Sequence, residues 1–254
     1  MKIIFFWSQG KSKLPKWAIR NLNLWKFLNE NYEIQLLDSS VLNKTYNEIS
    51  FIRDYPIQTQ ADILRIYLLT KFRGVWADLT VIPSISIENF SRNLENKEVF
   101  LYSKPTSDRL FSNWFIFSNN ADVISKVYEY VLDYHSTKRN FIEGSNNFIF
   151  DNIFESSEYL LKNKKQFPYF WFHYLLNHIF LSDEDLNQTF SEIDNISGIP
   201  PHDLQMYLKS CSISSLSNLK LKKLYEENAM NKLDWRIGER KLNVLFDAIS
   251  SNDV

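Results

Sequence analysis

The segment Gln60–Thr80, QADILRIYLLTKFRGVWADLT, predicts a helix, a break and a short strand. Asp62 and Arg65 lie about one helical turn apart, so their side chains share one face of the helix. A glycine ends the helix, and a short apolar strand then leads to Asp78. An acid and a base on a helix, with a further acid at a strand end, predict a polar site held by rigid elements.

The neighbouring segments predict an α/β arrangement. An apolar run at 3–7 is typical of a buried parallel strand, and a helix follows it from Pro15 to Asn29. A second strand at 32–37 completes a strand–helix–strand unit, which favours a parallel pair with a right-handed crossover. Further elements are predicted as a helix at 59–72, strands at 75–82, 99–102 and 114–117, and a helix at 121–134. The strand at 75–82 carries a corner at Asp78-Leu79-Thr80 and ends at Pro83.

After Ser136 the chain becomes rich in helix and asparagine. Helices are predicted at 146–161, 169–180, 201–209, 216–226 and 240–249. We therefore expect one continuous domain with an α/β portion over 1–135 and a helical portion over 136–254. Ligands of open α/β sheets bind at the carboxyl ends of the strands, where Trp7, Ser8 and Asp78 are expected.

Composition narrows the class of protein. The chain has 254 residues, 44% of them hydrophobic, and a net charge of -1, which argues against a broad nucleic-acid surface. Its one cysteine, Cys211, permits no internal disulfide and fits a reducing cytoplasm. The N-terminus lacks the pattern of a signal peptide, and no apolar run approaches the length of about 18 residues that spans a membrane. Lysine clusters at 162–165 and 209–223 are either solvated helix faces or weak contacts to an anionic membrane.

The segment around Asp62 and Asp78 resembles the DXD-type sugar transferases of glycosyltransferase family 32. The resemblance is closer to the branch of bacterial capsular polysaccharide synthesis. That pattern is S/A-D-x-x-R on a helix, followed by the strand motif G-G-[VI]-[WY]-x-D-x-[DTS]. Here it stands as Ala61-Asp62-Ile63-Leu64-Arg65 and Arg73-Gly74-Val75-Trp76-Ala77-Asp78-Leu79-Thr80, with matching spacing between the two aspartates. Weaker similarity at 3–7, 32–38, 113–116 and 169–175 extends the match over most of the chain.

The resemblance implies a GT-A type fold, a Rossmann-like mixed sheet flanked by helices, and a retaining hexosyltransferase. It implies a UDP-sugar donor and a growing surface polysaccharide or lipid-linked glycan as acceptor. Asp62 and Arg65 would hold the donor sugar, and Asp78 would contact ribose, sugar or metal. The other implied donor-binding residues are Trp7, beside the uracil, Ser8, Gln9, Trp76 and Ala77.

The chain departs from the family pattern at two places that concern the diphosphate. Thr80 replaces the second acid of the DXD triplet, and a neutral hydroxyl is a poorer metal ligand than a carboxylate. Binding of Mn²⁺ or Mg²⁺ by Asp78 and Thr80 is then weaker, dependent on Asp78 and the diphosphate, or absent. The family also carries a histidine near its C-terminal end, where this chain has none between Ser214 and Lys222. We expect Ser217 to occupy that place and Lys220 or Lys222 to supply the positive charge.

Several residues keep an alternative role on spacing alone. Asp62 and Arg65 also fit an ordinary exposed ion pair, and Asp78 also fits a turn residue. His202 is a weaker candidate for the donor site, and Asp203 is expected to cap a helix. Asp108 and Asn146-Asn147 are either helpers of the reaction or polar loop residues.

The sequence therefore predicts a cytoplasmic glycosyltransferase with peripheral contact to the inner face of the cell membrane. Two rivals remain open at this point. The first is a nucleotide-sugar hydrolase or phosphotransferase with the same pocket. The second is a non-catalytic sugar-nucleotide-binding or scaffold protein, because Thr80 replaces an acid and the C-terminal histidine is missing.

Overall fold

The structure is a computed structural model that describes residues 1–92, 94, 97–106, 109–137, 170–191 and 196–250. Its strands are β1 (Lys2–Phe6), β2 (Glu33–Leu37), β3 (Gly74–Ala77), β4 (Val81–Pro83), β5 (Val99–Thr106), β6 (Arg109–Ser118) and β7 (Met230–Lys232). The α-helices up to residue 137 are α1 (Lys16–Leu28), α2 (Val41–Lys44), α3 (Ile57–Lys71), α4 (Ile87–Arg92) and α5 (Ala121–Thr137). The later ones are α6 (Trp171–Ser182), α7 (Glu184–Ser191), α8 (Asp203–Ser210), α9 (Asn218–Glu226) and α10 (Glu239–Ser250).

The strands form two sheets. The larger sheet has five strands in the order β2-β1-β3-β6-β5, and the smaller pairs β4 with β7. β1 and β2 are parallel, whereas β5 and β6, like β4 and β7, are antiparallel. The predicted α/β class with a mixed sheet flanked by helices is therefore confirmed.

Two compact units divide the chain. The first unit consists of Met1–Ser39, Trp76–Asn96 and Ile199–Val254, and the second of Ser40–Val75 and Lys97–Gly198. The predicted portions 1–135 and 136–254 are defined by composition and proposed role, whereas these units are defined by compactness. The predicted portions therefore stay a prediction.

The strand–helix–strand unit at the N-terminus follows from its residue pattern. Pro15 directly precedes α1, where a fixed φ and a missing N–H suit the start of a helix. Ile3, Ile4 and Phe5 are fully buried, as expected for an apolar run in a parallel strand. The Phe5 ring meets Trp25 of α1 edge to face, with 5.3 Å between the ring centroids. A pair of this kind adds about 0.5–1.5 kcal/mol to the burial of both rings.

The predicted single strand at 75–82 is wrong. The run is divided into β3 and β4, which belong to different sheets. Between them, the Val81 N–H donates to the Asp78 carbonyl at 2.9 Å and closes a turn. Sequence reasoning located this corner but not the change of sheet, because the residues on both sides of it are apolar.

The later helices begin and end within a few residues of their predicted bounds, except that the helix at 146–161 lies outside the described residues. Asp203 does not cap α8 as predicted. It is the first residue of that helix, because a short 3-10 turn at Pro200–His202 leads directly into it. None of the helices in the described part of the chain is both long and apolar enough to cross a membrane.

Candidate active site

Asp62 and Arg65 form a buried ion pair on α3, in the second unit. The Arg65 Nη2 lies 3.0 Å from Asp62 Oδ1, and each residue is 4% exposed. Asn113 of β6 joins them, because its Nδ2 donates to Asp62 Oδ1 at 2.9 Å and its carbonyl accepts from Arg65 Nη1. The Arg65 Nε donates to the Ala61 carbonyl at 3.3 Å.

This burial separates two interpretations that spacing left open. The interpretation of Asp62 and Arg65 as an exposed helix ion pair is wrong, because both side chains are buried. Burying two charges costs desolvation free energy, which the attraction between them does not always offset. A buried ion pair is therefore weak evidence that its residues serve stability alone. Helix α3 is buried around most of its circumference, and this explains why a polar pair on it has no solvated face.

Asp78 lies in the first unit, at the turn between β3 and β4. The buried Asn21 of α1 donates its Nδ2 to the carbonyls of Leu79 at 2.9 Å and Val81 at 2.8 Å. Trp25 Nε1 donates to the same Val81 carbonyl at 2.9 Å. Three hydrogen bonds from one helix therefore hold the turn that presents Asp78 and Thr80.

A lysine from near the C-terminus completes this turn. Lys232 Nζ lies 2.8 Å from Asp78 Oδ2 and 2.7 Å from Thr80 Oγ1. Trp76 Nε1 donates to the other carboxylate oxygen of Asp78 at 3.3 Å. The Asp78 side chain is 29% exposed and that of Lys232 is 16% exposed, so the cluster is partly open to solvent. We call Asp78, Thr80 and Lys232 the corner cluster.

The corner cluster does not suit a divalent cation at Asp78 and Thr80. An ammonium already binds one carboxylate oxygen of Asp78 and the Thr80 hydroxyl, and the Trp76 indole N–H donates to the other carboxylate oxygen. Among the described residues, no group of three or more His, Cys, Asp and Glu side chains could hold a metal ion. A hard cation needs several anionic or carbonyl oxygens, and the neutral Thr80 hydroxyl adds no charge.

Trp7, Ser8 and Gln9 follow β1, which neighbours β3 in the large sheet. The Trp7 N–H donates to the Leu37 carbonyl at 2.8 Å, and the Gly10 N–H donates to the Trp7 carbonyl at 2.9 Å. Gly10 has a φ of 81°, which a glycine adopts without strain. The indole N–H of Trp7 is buried and has no acceptor among the described residues. Its contact with uracil stays a prediction.

The predicted C-terminal residues lie on α9. Ser217 caps this helix by accepting from the Lys220 N–H at 3.4 Å, and Lys220 Nζ lies 4.7 Å from the centre of the Tyr207 ring. Lys222 lies 3.7 Å from Glu226 on the same helix. These contacts leave a role toward the donor untested. Asp108, Asn146 and Asn147 lie outside the described residues.

A comparison with protein families decides the relationship of this chain. The family described as "Capsular polysaccharide synthesis protein" matches residues 1–249 of this chain. The chain belongs to the capsular polysaccharide synthesis protein family. A search of curated proteins found no match. Nineteen chains of solved structures match, among them one titled "PaToxG Glycosyltransferase". That structure has a TM-score of 0.43 and 13% identity, and the match covers 98% of this chain and 84% of the other.

In this member of the capsular polysaccharide synthesis family, sequence reasoning missed Lys232 and Asn113 as partners of the motif. Lys232 is remote from Asp78 along the chain, and only the pairing of β4 with β7 places it there, with Val81 opposite Lys232. Asn113 belongs to one of the blocks that resemble the family, but nothing in its spacing connects it with Asp62. The one usable signal is the polar pair Ser112-Asn113 in the otherwise apolar run at 111–117.

Proposed function

We propose that this protein is a retaining glycosyltransferase that moves a hexose from a UDP-sugar to a growing surface polysaccharide or lipid-linked glycan. Membership of the capsular polysaccharide synthesis family supports a role in building such a polymer. The resemblance to DXD-type sugar transferases supports the donor class and the residues that bind it.

The corner cluster is the observation that carries this proposal. The Lys232 ammonium lies within hydrogen-bond distance of the Asp78 carboxylate and the Thr80 hydroxyl, on a turn that α1 holds in place. Sugar and ribose hydroxyls need such donors and acceptors, and a diphosphate needs positive charge. The same turn carries the aspartate that the sequence motif assigns to the donor.

Asp62 and Arg65 are proposed to position the donor sugar. Their ion pair and the Asn113 side chain fix both polar groups before any ligand binds. Preorganised groups lose little entropy when they bind, so they favour accurate placement of a reacting carbon. The assignment of Asp62 and Arg65 to the donor sugar, and of Asp78 to the donor, rests on the sequence motif.

The proposed transfer has a simple balance of bonds. The bond between the anomeric carbon and the β-phosphate oxygen breaks, and its electron pair stays on that oxygen. The acceptor's hydroxyl oxygen attacks from the same face and forms the new bond to the anomeric carbon. Its proton passes to the departing phosphate oxygen, so the protein supplies positioning and charge stabilisation rather than a nucleophile.

The acceptor is proposed to be lipid-linked, with the protein working in the cytoplasm at the inner face of the membrane. Lysines of α8 and α9, namely Lys209, Lys220, Lys222 and Lys223, are the described residues proposed to contact anionic lipid. The cluster at 162–165 lies outside the described residues.

Thermal unfolding with UDP-, GDP- and dTDP-sugars tests the donor class. A ligand at about 100 times its Kd stabilises a protein by about 2.7 kcal/mol, or roughly 5–10 °C in a chain of this size. We expect protection by UDP-sugars and its loss in Asp78→Asn, which removes a charge and preserves shape. Asp234→Asn is the matched control, because Asp234 also pairs with a lysine at 2.8 Å in the first unit. Equal protection of both variants would contradict the proposed role of Asp78.

Turnover separates transfer from its rivals. Incubation with donor alone should release free sugar slowly, and an oligosaccharide or lipid-linked acceptor should raise donor consumption. A rate that acceptor does not change would favour a hydrolase. Binding of UDP without turnover of any donor would favour a non-catalytic protein.

A further inference from the structure

Lys232 is held in position from both sides. Its strand β7 pairs with β4, and the Leu233 N–H donates to the Thr80 carbonyl at 2.9 Å. The buried Asn231 donates its Nδ2 to the carbonyls of Tyr225 at 2.9 Å and Asn228 at 3.2 Å. The backbone of Lys232 is therefore held beside the turn, and its side chain extends from this fixed position to Asp78 and Thr80.

The ammonium has capacity for one more acceptor. A lysine has three N–H donors, of which two point to Asp78 Oδ2 and Thr80 Oγ1. Within the described part of the chain, no residue accepts from the third. Since the side chain is 16% exposed, an anionic oxygen of a ligand can reach this donor.

A divalent cation and this ammonium would compete for the same ligand. A metal bound to Asp78 Oδ2 at the usual 2.0–2.6 Å would lie roughly 4–5 Å from Lys232 Nζ. Two cations at that separation repel each other, and Thr80 offers no negative charge to offset the repulsion. The position of Lys232 and the replacement of the second DXD acid by Thr80 therefore both disfavour a divalent cation at Asp78.

We propose that the Lys232 ammonium, held between Asp78 and Thr80, takes the place of a divalent cation on the donor's diphosphate. This inference rests on the proposed function, because it assumes a nucleoside diphosphate donor. Lys232 donates a charge-assisted hydrogen bond to a phosphate oxygen and stays protonated throughout the transfer. As the bond to the anomeric carbon breaks, the ammonium stabilises the negative charge left on the diphosphate. Donor binding then needs no added metal.

Calorimetry with UDP, in Mn²⁺ and in EDTA, tests this inference. We expect wild type to bind UDP with the same affinity in both. Lys232→Met should weaken UDP binding about 10- to 100-fold, because it removes a hydrogen bond from a charged donor. Lys232→Arg keeps the positive charge and should retain affinity to within about tenfold. Lys241→Met, which removes a part-buried ammonium that donates to the Leu208 carbonyl at 2.7 Å in the same unit, should bind UDP like wild type.

Two results would overturn the inference while leaving the proposed function intact. The first is UDP binding by wild type that disappears in EDTA and returns with Mn²⁺. The second is unchanged UDP affinity in Lys232→Met, which would make the lysine a structural partner of Asp78 only. If Lys232→Met fails to fold, the comparison of wild type in EDTA and Mn²⁺ still decides. Failure of wild type to bind UDP, GDP and dTDP in both conditions would instead contradict the proposed function and the inference with it.

Discussion

At the residue scale, the buried pair on α3 predicts a large effect of removing one partner. Arg65→Ala should lower the free energy of unfolding by about 3–5 kcal/mol, because it leaves the Asp62 carboxylate buried without its countercharge. Urea denaturation measures this change. The expected loss also means that reduced donor binding in Arg65→Ala needs a stability correction before it is assigned to the site.

Arg92→Ala is the control for this prediction. Arg92 pairs with Glu88 one helical turn away, as Arg65 pairs with Asp62, but both side chains of the Arg92–Glu88 pair are largely exposed. Exposed helix pairs contribute about 0.3–0.5 kcal/mol, so its loss should be small. Similar effects of the two substitutions would show that burial of the α3 pair does not govern its energetics.

The pairing of Asp62 with Arg65 could be predicted from sequence, and its environment could not. Spacing places both on one helix face regardless of what covers that face. Burial depends on residues distant along the chain, such as Asn113. The apolar neighbours Ile63, Leu64 and Ile66 did signal that little of this helix is solvated. Lys232 carried no such signal, because a lysine in a short polar segment is ordinarily a surface residue.

At the element scale, Asp183 connects two helices of the second unit and predicts acid sensitivity. Its Oδ1 accepts from the Leu186 N–H of α7 at 3.0 Å and from Lys126 Nζ of α5 at 2.8 Å. Its Oδ2 accepts from the Tyr130 hydroxyl at 2.9 Å. Burial raises the pKa of Asp183, but the hydrogen bonds from Lys126, Leu186 and Tyr130 outweigh it, so the pKa lies below its usual range.

The sign of the pH effect follows from this lowered pKa. The contribution of Asp183 to stability is present above its unfolded pKa of about 3.9 and is lost as the pH falls through the lower folded value. Asp183→Ala should cost about 1–2 kcal/mol at neutral pH, as loss of a helix cap does, and the difference from wild type should shrink below about pH 4. Asp185→Ala, at a largely exposed partner of Lys126, should have little effect at either pH. A penalty for Asp183→Ala that persists unchanged in acid would contradict the assignment. Urea denaturation at both pH values measures it.

The strands show which elements local sequence patterns can predict and which they cannot. The parallel pair of β1 and β2 follows from an apolar run, a helix and a second run, and it is confirmed. β7 escaped prediction because Met-Asn-Lys has no apolar alternation, and it exists only through its pairing with β4. Without β7 there is no reason to place Lys232 beside Thr80. The part of the site that depends on sheet partners was therefore beyond local sequence patterns.

At the scale of the whole molecule, the motif is distributed over both compact units. The Asp62–Arg65 pair belongs to the second and the corner cluster to the first, and each unit is assembled from segments that are distant in sequence. A shift in composition can only divide a chain into consecutive segments, so it predicts portions such as 1–135 and 136–254. Contacts between distant segments are what define the compact units, and these contacts cannot be inferred from a composition shift.

Donor-binding residues are proposed in each unit, so donor binding should slow amide exchange in both. We expect UDP-sugar to slow amide hydrogen exchange at the turn between β3 and β4 and along α3 around Arg65. Where exchange requires opening of the bound site, a donor at about 100 times its Kd should slow it about 100-fold. Mass spectrometry of proteolytic peptides that cover 57–71 and 74–83 measures this. Uridine, which lacks the diphosphate and the sugar, serves as the control and should protect neither region to this extent. Protection confined to one unit would show that the residues of the other do not bind the donor.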